Sequence, residues 1–370
     1  MISLKDYRIV LVGGAGFIGH NLALALKERG AQVEVVDGLD VNNLLTFSSS
    51  DCHSGNRELY RGMLNDRLDL LRENGIPLHI QDARDYHMMN AVLNQIKPQV
   101  VIHLAAVAHA ALSNKDPHST FGHSLRTLEN VLDYSRSGVE HFIYFSSSMI
   151  YGDFKSAEVT EQSPCEPLGI YGVLKLAGEK IVKAYSQVFD LPFTIIRPSA
   201  LYGERCVSRR VAQVFVESAL EGNSISINGD GSDRLDFTYV HDLVNGVIKV
   251  IENENSKGEI FNITYGQSRS LEDMAELIRE HFPEARISYS TKDKLVPDRG
   301  TLSVEKARKL IDYEPQYPLE KGFVEYIKWY KSIWPNKADV VPVGIGEYRK
   351  SGQAVSPKQS KTAEQTTGTA

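Results

Sequence analysis

The strongest constraint in this chain is an apolar run that breaks into spaced glycines and resumes as a helical pattern. Residues 7–19 read YRIVLVGGAGFIG and residues 20–30 read HNLALALKERG. The first stretch predicts a buried strand broken at Gly13, Gly16 and Gly19, and the second a helix from His20, with Phe17 and Ile18 between the glycines as cofactor contacts. Glycines suit such a turn because a Cβ would keep a diphosphate away from the backbone. The helix start then offers unpaired N–H groups and a partial positive charge to phosphates. The next apolar run, residues 32–37, ends on Asp37. A carboxylate at that point accepts hydrogen bonds from a ribose 2′-hydroxyl and repels a 2′-phosphate, and no Lys or Arg lies between Asp37 and Arg57. The combination points to NAD rather than NADP, with Asp40 as the competing acid.

Further apolar runs at 77–81, 99–106, 141–146 and 193–197 alternate with helical stretches at 85–96, 119–137 and 168–189. Strands that are apolar throughout suit a parallel sheet covered on both faces, so the pattern predicts a doubly wound, Rossmann-like α/β fold. Past Arg197 the pattern changes to a helix at 211–220, a strand at 224–228, a strand at 235–240, a helix at 242–251, a strand at 259–263 and helices at 271–281 and 319–334. This organisation predicts a dinucleotide-binding domain over 1–190, with 235–262 returning to it. A smaller interleaved α/β substrate lobe is expected from 191–234 and 263–334. Residues 39–56 are polar and read as a loop before a helix at 57–73. The end of the chain, 335–370, becomes too poor in large apolar residues to offset its ordering entropy and reads as a disordered tail.

The chain has 370 residues, 42% of them hydrophobic, and a formal charge of −6, which gives no support for a nucleic-acid surface. Cys52, Cys165 and Cys206 are widely spaced and odd in number, so neither a disulfide framework nor a metal site is expected, and unpaired thiols suit a reducing cytoplasm. No apolar run is long enough to span a bilayer, and no signal-peptide core precedes the first strand.

Two polar segments fall where the carboxyl edge of the sheet is expected. One is SSSMIYG at 146–152; the other is YGVLK at 171–175, which puts Tyr171 and Lys175 on one helix face. A phenol is a poor base at neutral pH, and a neighbouring ammonium favours its phenolate. A serine hydroxyl across the pocket can orient a reacting oxygen.

With these segments the chain resembles the extended short-chain dehydrogenase/reductase family, in its nucleotide-sugar epimerase/dehydratase group, from about residue 8 to about residue 334. The matching motifs are the glycine turn, Asp37, Asp82, HLAA at 103–106, SSSMIYG, Tyr171 with Lys175, RPSALYG at 197–203, and GDGS at 229–232 followed by DFTYV at 236–240. The resemblance implies Tyr171 as general acid/base, Lys175 as the residue that lowers its pKa and holds ribose, and Ser147 as the catalytic serine. Ser148 is the alternative serine and a substrate contact. Asp82 and Ala83 would approach the adenine, Leu104, Ala105 and Ala106 would line the cofactor, and Arg234 and Arg299 would meet a substrate diphosphate. It also implies a nucleotide-diphosphate sugar as substrate and a homodimer paired through the helices at 119–137 and 168–189.

The chain departs from the family pattern in places. Ser148 and Met149 stand where dehydrating members carry an acid pair and decarboxylating members a Glu, which leaves epimerase or reductase chemistry. Glu158, Glu161 and Glu166 between the two motifs keep a dehydratase open. His123 and Ser124 stand in place of a frequent Asn, Ala200 replaces a substrate-binding Asn, and Arg234 is displaced by one from its usual place before the Asp-Phe pair. The leading expectation is C4 epimerisation through a transient 4-keto sugar. A 4-keto sugar reductase, a 4,6-dehydratase and, more remotely, a non-catalytic NAD-sensing protein are the alternatives.

Overall fold

Seven parallel strands form the centre of the molecule: β1 Arg8–Val12, β2 Gln32–Asp37, β3 Leu78–Ile80, β4 Val100–His103, β5 His141–Phe145, β6 Phe193–Arg197 and β7 Glu259–Asn262. Their spatial order is β7-β6-β5-β4-β1-β2-β3. Every neighbouring pair is parallel, with Val10 opposite Glu34 on one side and Val101 on the other. The computed structural model describes residues 2–40, 55–107, 110–291 and 297–334, together with Leu44 and Phe47. Most of the expected 39–56 loop, including Cys52, and the expected 335–370 tail lie outside the described residues. No described helix is long and apolar enough to cross a membrane.

Strands β4, β5 and β6 are buried at every position, as a sheet covered on both faces requires. One face packs under α1 (Phe17–Glu28) and α7 (Val240–Glu252), through Leu22, Ala23, Leu26, Leu243 and Val247. The other packs under α3 (Tyr86–Ile96), α4 (Thr127–Ser135) and α5 (Gly169–Phe189), through Met89, Leu93, Leu128, Val131 and Val182. A separate apolar cluster gathers α6 (Val211–Glu221), α8 (Leu271–His281), α9 (Leu319–Ile333) and the parallel strand pair Ile225–Asn228 and Ile287–Ser290. Helix α2 (Arg57–Glu73) joins the two regions: Leu71 sits in the sheet's core, while Tyr60, Met63 and Leu64 sit in the separate cluster.

Three elements differ from expectation. The strand expected at 99–106 stops at His103, because the N–H groups of Leu104 and Ala105 both turn to the Val12 carbonyl, at 2.8 and 3.0 Å. The helix expected at 119–137 is interrupted by a π-helical turn, Gly122–Arg126, which contains His123. The strand expected at 235–240 is two short pieces, Arg234–Leu235 and Thr238–Tyr239. Between them Asp236 turns into the interior and accepts hydrogen bonds from Thr264 Oγ1, Gly266 N and Leu302 N, each 3.1 Å. Binary pattern alone could not show that an acid would interrupt this apolar run.

Candidate active site

Strand order reverses between β1 and β4, and a groove opens at their carboxyl ends, where open α/β sheets bind ligands. The groove is lined by Gly13, Gly16, Phe17, Ile18 and Gly19 from the first turn, by Asp37, by Asp82 and Ala83 after β3, and by Leu104, Ala105 and Ala106 after β4. Every cofactor contact expected from the sequence apart from Tyr171 and Lys175 therefore meets in one groove.

The glycines are there for different reasons. Gly13 has φ +81°, and a Cβ on it would lie 2.6 Å from Ala105 N; a Cβ on Gly19 would lie 2.5 Å from Gly14 Cα. At those two positions the protein's own backbone leaves no room. Only Gly16, the N-cap of α1, stands clear, its nearest neighbour the Gly13 carbonyl at 3.4 Å from an added Cβ. The sequence argument from phosphate approach thus applies to one of the three glycines, and chain packing explains the other two.

Asp37 accepts the Ala15 N–H at 2.9 Å on one oxygen and the Leu39 N–H at 2.8 Å on the other. Burial raises its pKa, and the two N–H groups and Arg67 oppose that rise. The competing acid, Asp40, is drawn to Arg84 instead, 3.2 Å away. Asp82 is gripped by Arg84 as well, which holds its carboxyl below the usual range. An unobstructed backbone at Gly16, the α1 start beside it and the Asp37 carboxylate in the same groove fit NAD.

A second cavity, about 560 Å³, adjoins the groove; Ile18, Leu104, Ala106 and Arg210 line both. Ser147, Ser148, Met149, Tyr171 and Lys175 line its floor. Its far wall is built by α6 and the Ser226–Asn228 edge, and Arg299 also lines it. Tyr171 opens α5 and Lys175 follows one turn later, as expected. Lys175 is 5% exposed, donates to the Phe145 carbonyl at 2.7 Å and sits over the Tyr144 ring at 5.3 Å. Burial lowers its pKa to about 8.

Burial raises the Tyr171 phenol, while the Arg210 guanidinium, foremost, and the Ser147 hydroxyl pull it back. Lys175 turns its ammonium to the Phe145 carbonyl. Arg210, the N-cap of α6, escaped the sequence analysis because nothing in SRRVAQ marks it as a neighbour of a tyrosine 39 positions earlier (210 − 171).

The buried scaffold beneath these groups is a polar network. Arg197 forks onto Glu179 at 2.9 and 2.7 Å and donates to the Tyr151 hydroxyl at 2.9 Å, which donates to Asn262 at 2.8 Å. It ties α5 one turn past Lys175 to the turn that carries Ser147.

Arg299 has a buried Nε with no hydrogen-bond partner, and burial lowers its pKa to about 10. A guanidinium so placed suits an anion. Arg234 is placed elsewhere: it donates to Ser268 Oγ at 3.1 Å and Ser268 O at 2.7 Å and does not line the cavity. The three acids that kept a dehydratase open also lie off it. Glu158 is the exposed residue of a two-residue strand, Glu161 accepts the Asn262 N–H at 2.8 Å, and Glu166 lies 3.8 Å from Lys155. Among the described lining residues the one carboxylate is Asp233, beside Arg299. His123, read from the sequence only as standing in place of an Asn, and Thr127 also line the cofactor groove.

Doubly wound topology, with a chamber opening onto the switch point, defines a dinucleotide-dependent enzyme scaffold. Residues 9–264 match the model of the NAD dependent epimerase/dehydratase family, and the chain belongs to that family. It is 28% identical over 331 residues to an uncharacterised UDP-glucose epimerase of Bacillus subtilis, covering 88% of this chain and 99% of the relative. It is 26% identical over 340 residues to the dTDP-D-glucose 4,6-dehydratase of Mus musculus, covering 89% and 90%. Among solved structures, it is similar to UDP-glucuronic acid 4-epimerase from Bacillus cereus in complex with UDP-glucuronic acid and NAD, with TM-score 0.78, 25% identity, and 88% and 99% coverage. UDP-glucose 4-epimerase from Thermotoga maritima, with UDP-glucose, gives TM-score 0.76 at 26% identity, covering 88% and 98%.

Proposed function

We propose that this protein is an NAD-dependent 4-epimerase of a nucleotide-diphosphate sugar. The observation that carries the reading is the floor of the chamber: Tyr171 and Ser147 stand together with Met149, where a dehydratase needs acids, and Glu158, Glu161 and Glu166 are all outside. The 4-epimerase relatives support the choice of C4. NAD in the groove supplies a hydride acceptor that becomes the donor for the return step. Tyr171 Oη takes the proton of the sugar C4 hydroxyl and later returns it, with Ser147 Oγ hydrogen-bonded to the same oxygen. Arg210 favours the phenolate, and Arg299 and Arg210 flank the place for the substrate diphosphate. Ser148 contacts the sugar. Residues 191–234 and 263–334 act as the lobe that holds the substrate. Free Cys165 and Cys206 support a cytoplasmic setting.

The test is incubation with UDP-glucose, UDP-glucuronic acid, UDP-N-acetylglucosamine and dTDP-glucose without added cofactor, with products read by NMR. A product changed only at C4 is expected from one of them. A 4-keto-6-deoxy product, or turnover only with added NAD(P)H, would replace this reading with the dehydratase or the reductase. Tyr171→Phe should lose roughly 10²–10⁴-fold in kcat while keeping bound NAD. An unchanged kcat would remove Tyr171 from the chemistry.

A further inference from the structure

Arg67 is 2% exposed and lines the cofactor groove beside Gly16, Asp37 and Val207. Its Nε donates to the Arg205 carbonyl at 3.0 Å, and its Nη2 donates to the same oxygen. Among the described residues no carboxylate pairs with it. The charge of Asp37 acts on this guanidinium through space, but its hydrogen bonds to described residues go to one neutral carbonyl, so most of its desolvation cost is left for a bound anion to offset. Its surroundings indicate which anion. Arg67 is close enough to His20, in the first turns of α1, to help keep that imidazole neutral. The N–H groups at that helix start have no partners four residues back.

We propose that Arg67 is a ligand of the cofactor's diphosphate, acting beside the α1 N-terminus. The phosphates would then meet both a helix start and a guanidinium. Asp37 makes no hydrogen bond to Arg67, since its two oxygens accept the Ala15 and Leu39 N–H groups, and the two attract only through space. Arg67 also secures the segment 204–210 that walls both cavities. Its neighbour Asp66 takes the Arg205 Nε at 2.5 Å, so α2 grips Arg205 by carbonyl and side chain, five positions before Arg210. An epimerase must retain its dinucleotide through the whole cycle, and this clamp supplies retention from outside the glycine turn. Burial lowers the Arg67 pKa only to about 10, so the charge is intact at neutral pH.

The test is titration calorimetry of the cofactor-stripped protein with adenosine, ADP, 2′,5′-ADP and NAD. Arg67→Gln should weaken ADP and NAD by about 10- to 100-fold and leave adenosine within about 2-fold. Arg67→Lys, which keeps the charge but not the fork, should recover part of the loss. In the unaltered chain, arginine-selective ¹⁵N NMR should show the Arg67 Nε signal moving with ADP and not with adenosine, which keeps the question open to measurement should Arg67→Gln fail to fold. Equal weakening of adenosine and ADP would make the residue structural only. Loss confined to 2′,5′-ADP would make it a 2′-phosphate ligand, and no change in ADP binding would overturn the assignment outright.

Discussion

Lys175 shows how much a residue's role depends on what surrounds it. Spacing four from Tyr171 is legible in the sequence, but the direction of its ammonium is not. In the fold it points to the Phe145 carbonyl and the Tyr144 ring, and burial lowers its pKa to about 8. Unfolded, a lysine titrates near 10.4. Between these values the unfolded chain holds the proton and the folded chain does not, so stability contributed at this site rises with pH across about 8 to 10.4. Relative to Lys175→Met, the unliganded wild-type protein should gain up to about 3 kcal/mol over that window, measured by urea unfolding at several pH values. A difference that stays flat would mean that the ammonium is not desolvated in the native state. Arg210 and Arg67 teach the complementary lesson: each acts across tens of residues of sequence, so no local pattern announces either.

Among the elements, the glycine turn separates folding from binding. Gly13 is pressed against Ala105 and has a positive φ, whereas Gly16 stands clear. Gly13→Ala should therefore destabilise the protein by about 2–4 kcal/mol, seen as a fall in Tm without ligand. Gly16→Ala should cost less than about 1 kcal/mol of stability yet weaken NAD binding, because its Cβ would enter the groove. Equal effects of the two substitutions on Tm would contradict the distinction. Helix and strand placement was largely legible: β6 falls where expected, at Phe193–Arg197, and α8 spans Leu271–His281 as read. Breaks within elements were not. The π turn at Gly122–Arg126 and the inward Asp236 depend on partners distant in sequence.

For the whole molecule, the remaining expectation is assembly. Leu112, Phe121 and Val173 are 49%, 56% and 50% exposed, and the short helices bearing the first two pack against α5, which bears the third. Clustered exposed apolar side chains on packed helices are what a two-fold interface covers. We propose a homodimer through this face. Light scattering should report a dimer for the wild-type protein and a shift toward monomer for Phe121→Asp with Val173→Asp. A monomeric wild-type protein would remove the proposal.

The order of the chain by itself determined the α/β alternation, the glycine turn, the acid at the end of β2 and the Tyr171–Lys175 spacing. Each of these is a local pattern, set by burial periodicity or by the backbone geometry of a few neighbouring residues. Tertiary structure alone decided that Arg67 and Arg210 meet the two cavities and Arg234 does not, which glycines make room for a ligand and which for the chain, and that Glu158, Glu161 and Glu166 stand away from the chamber. Those outcomes depend on how separate elements approach one another, and electrostatics and steric exclusion act through space without regard to sequence distance.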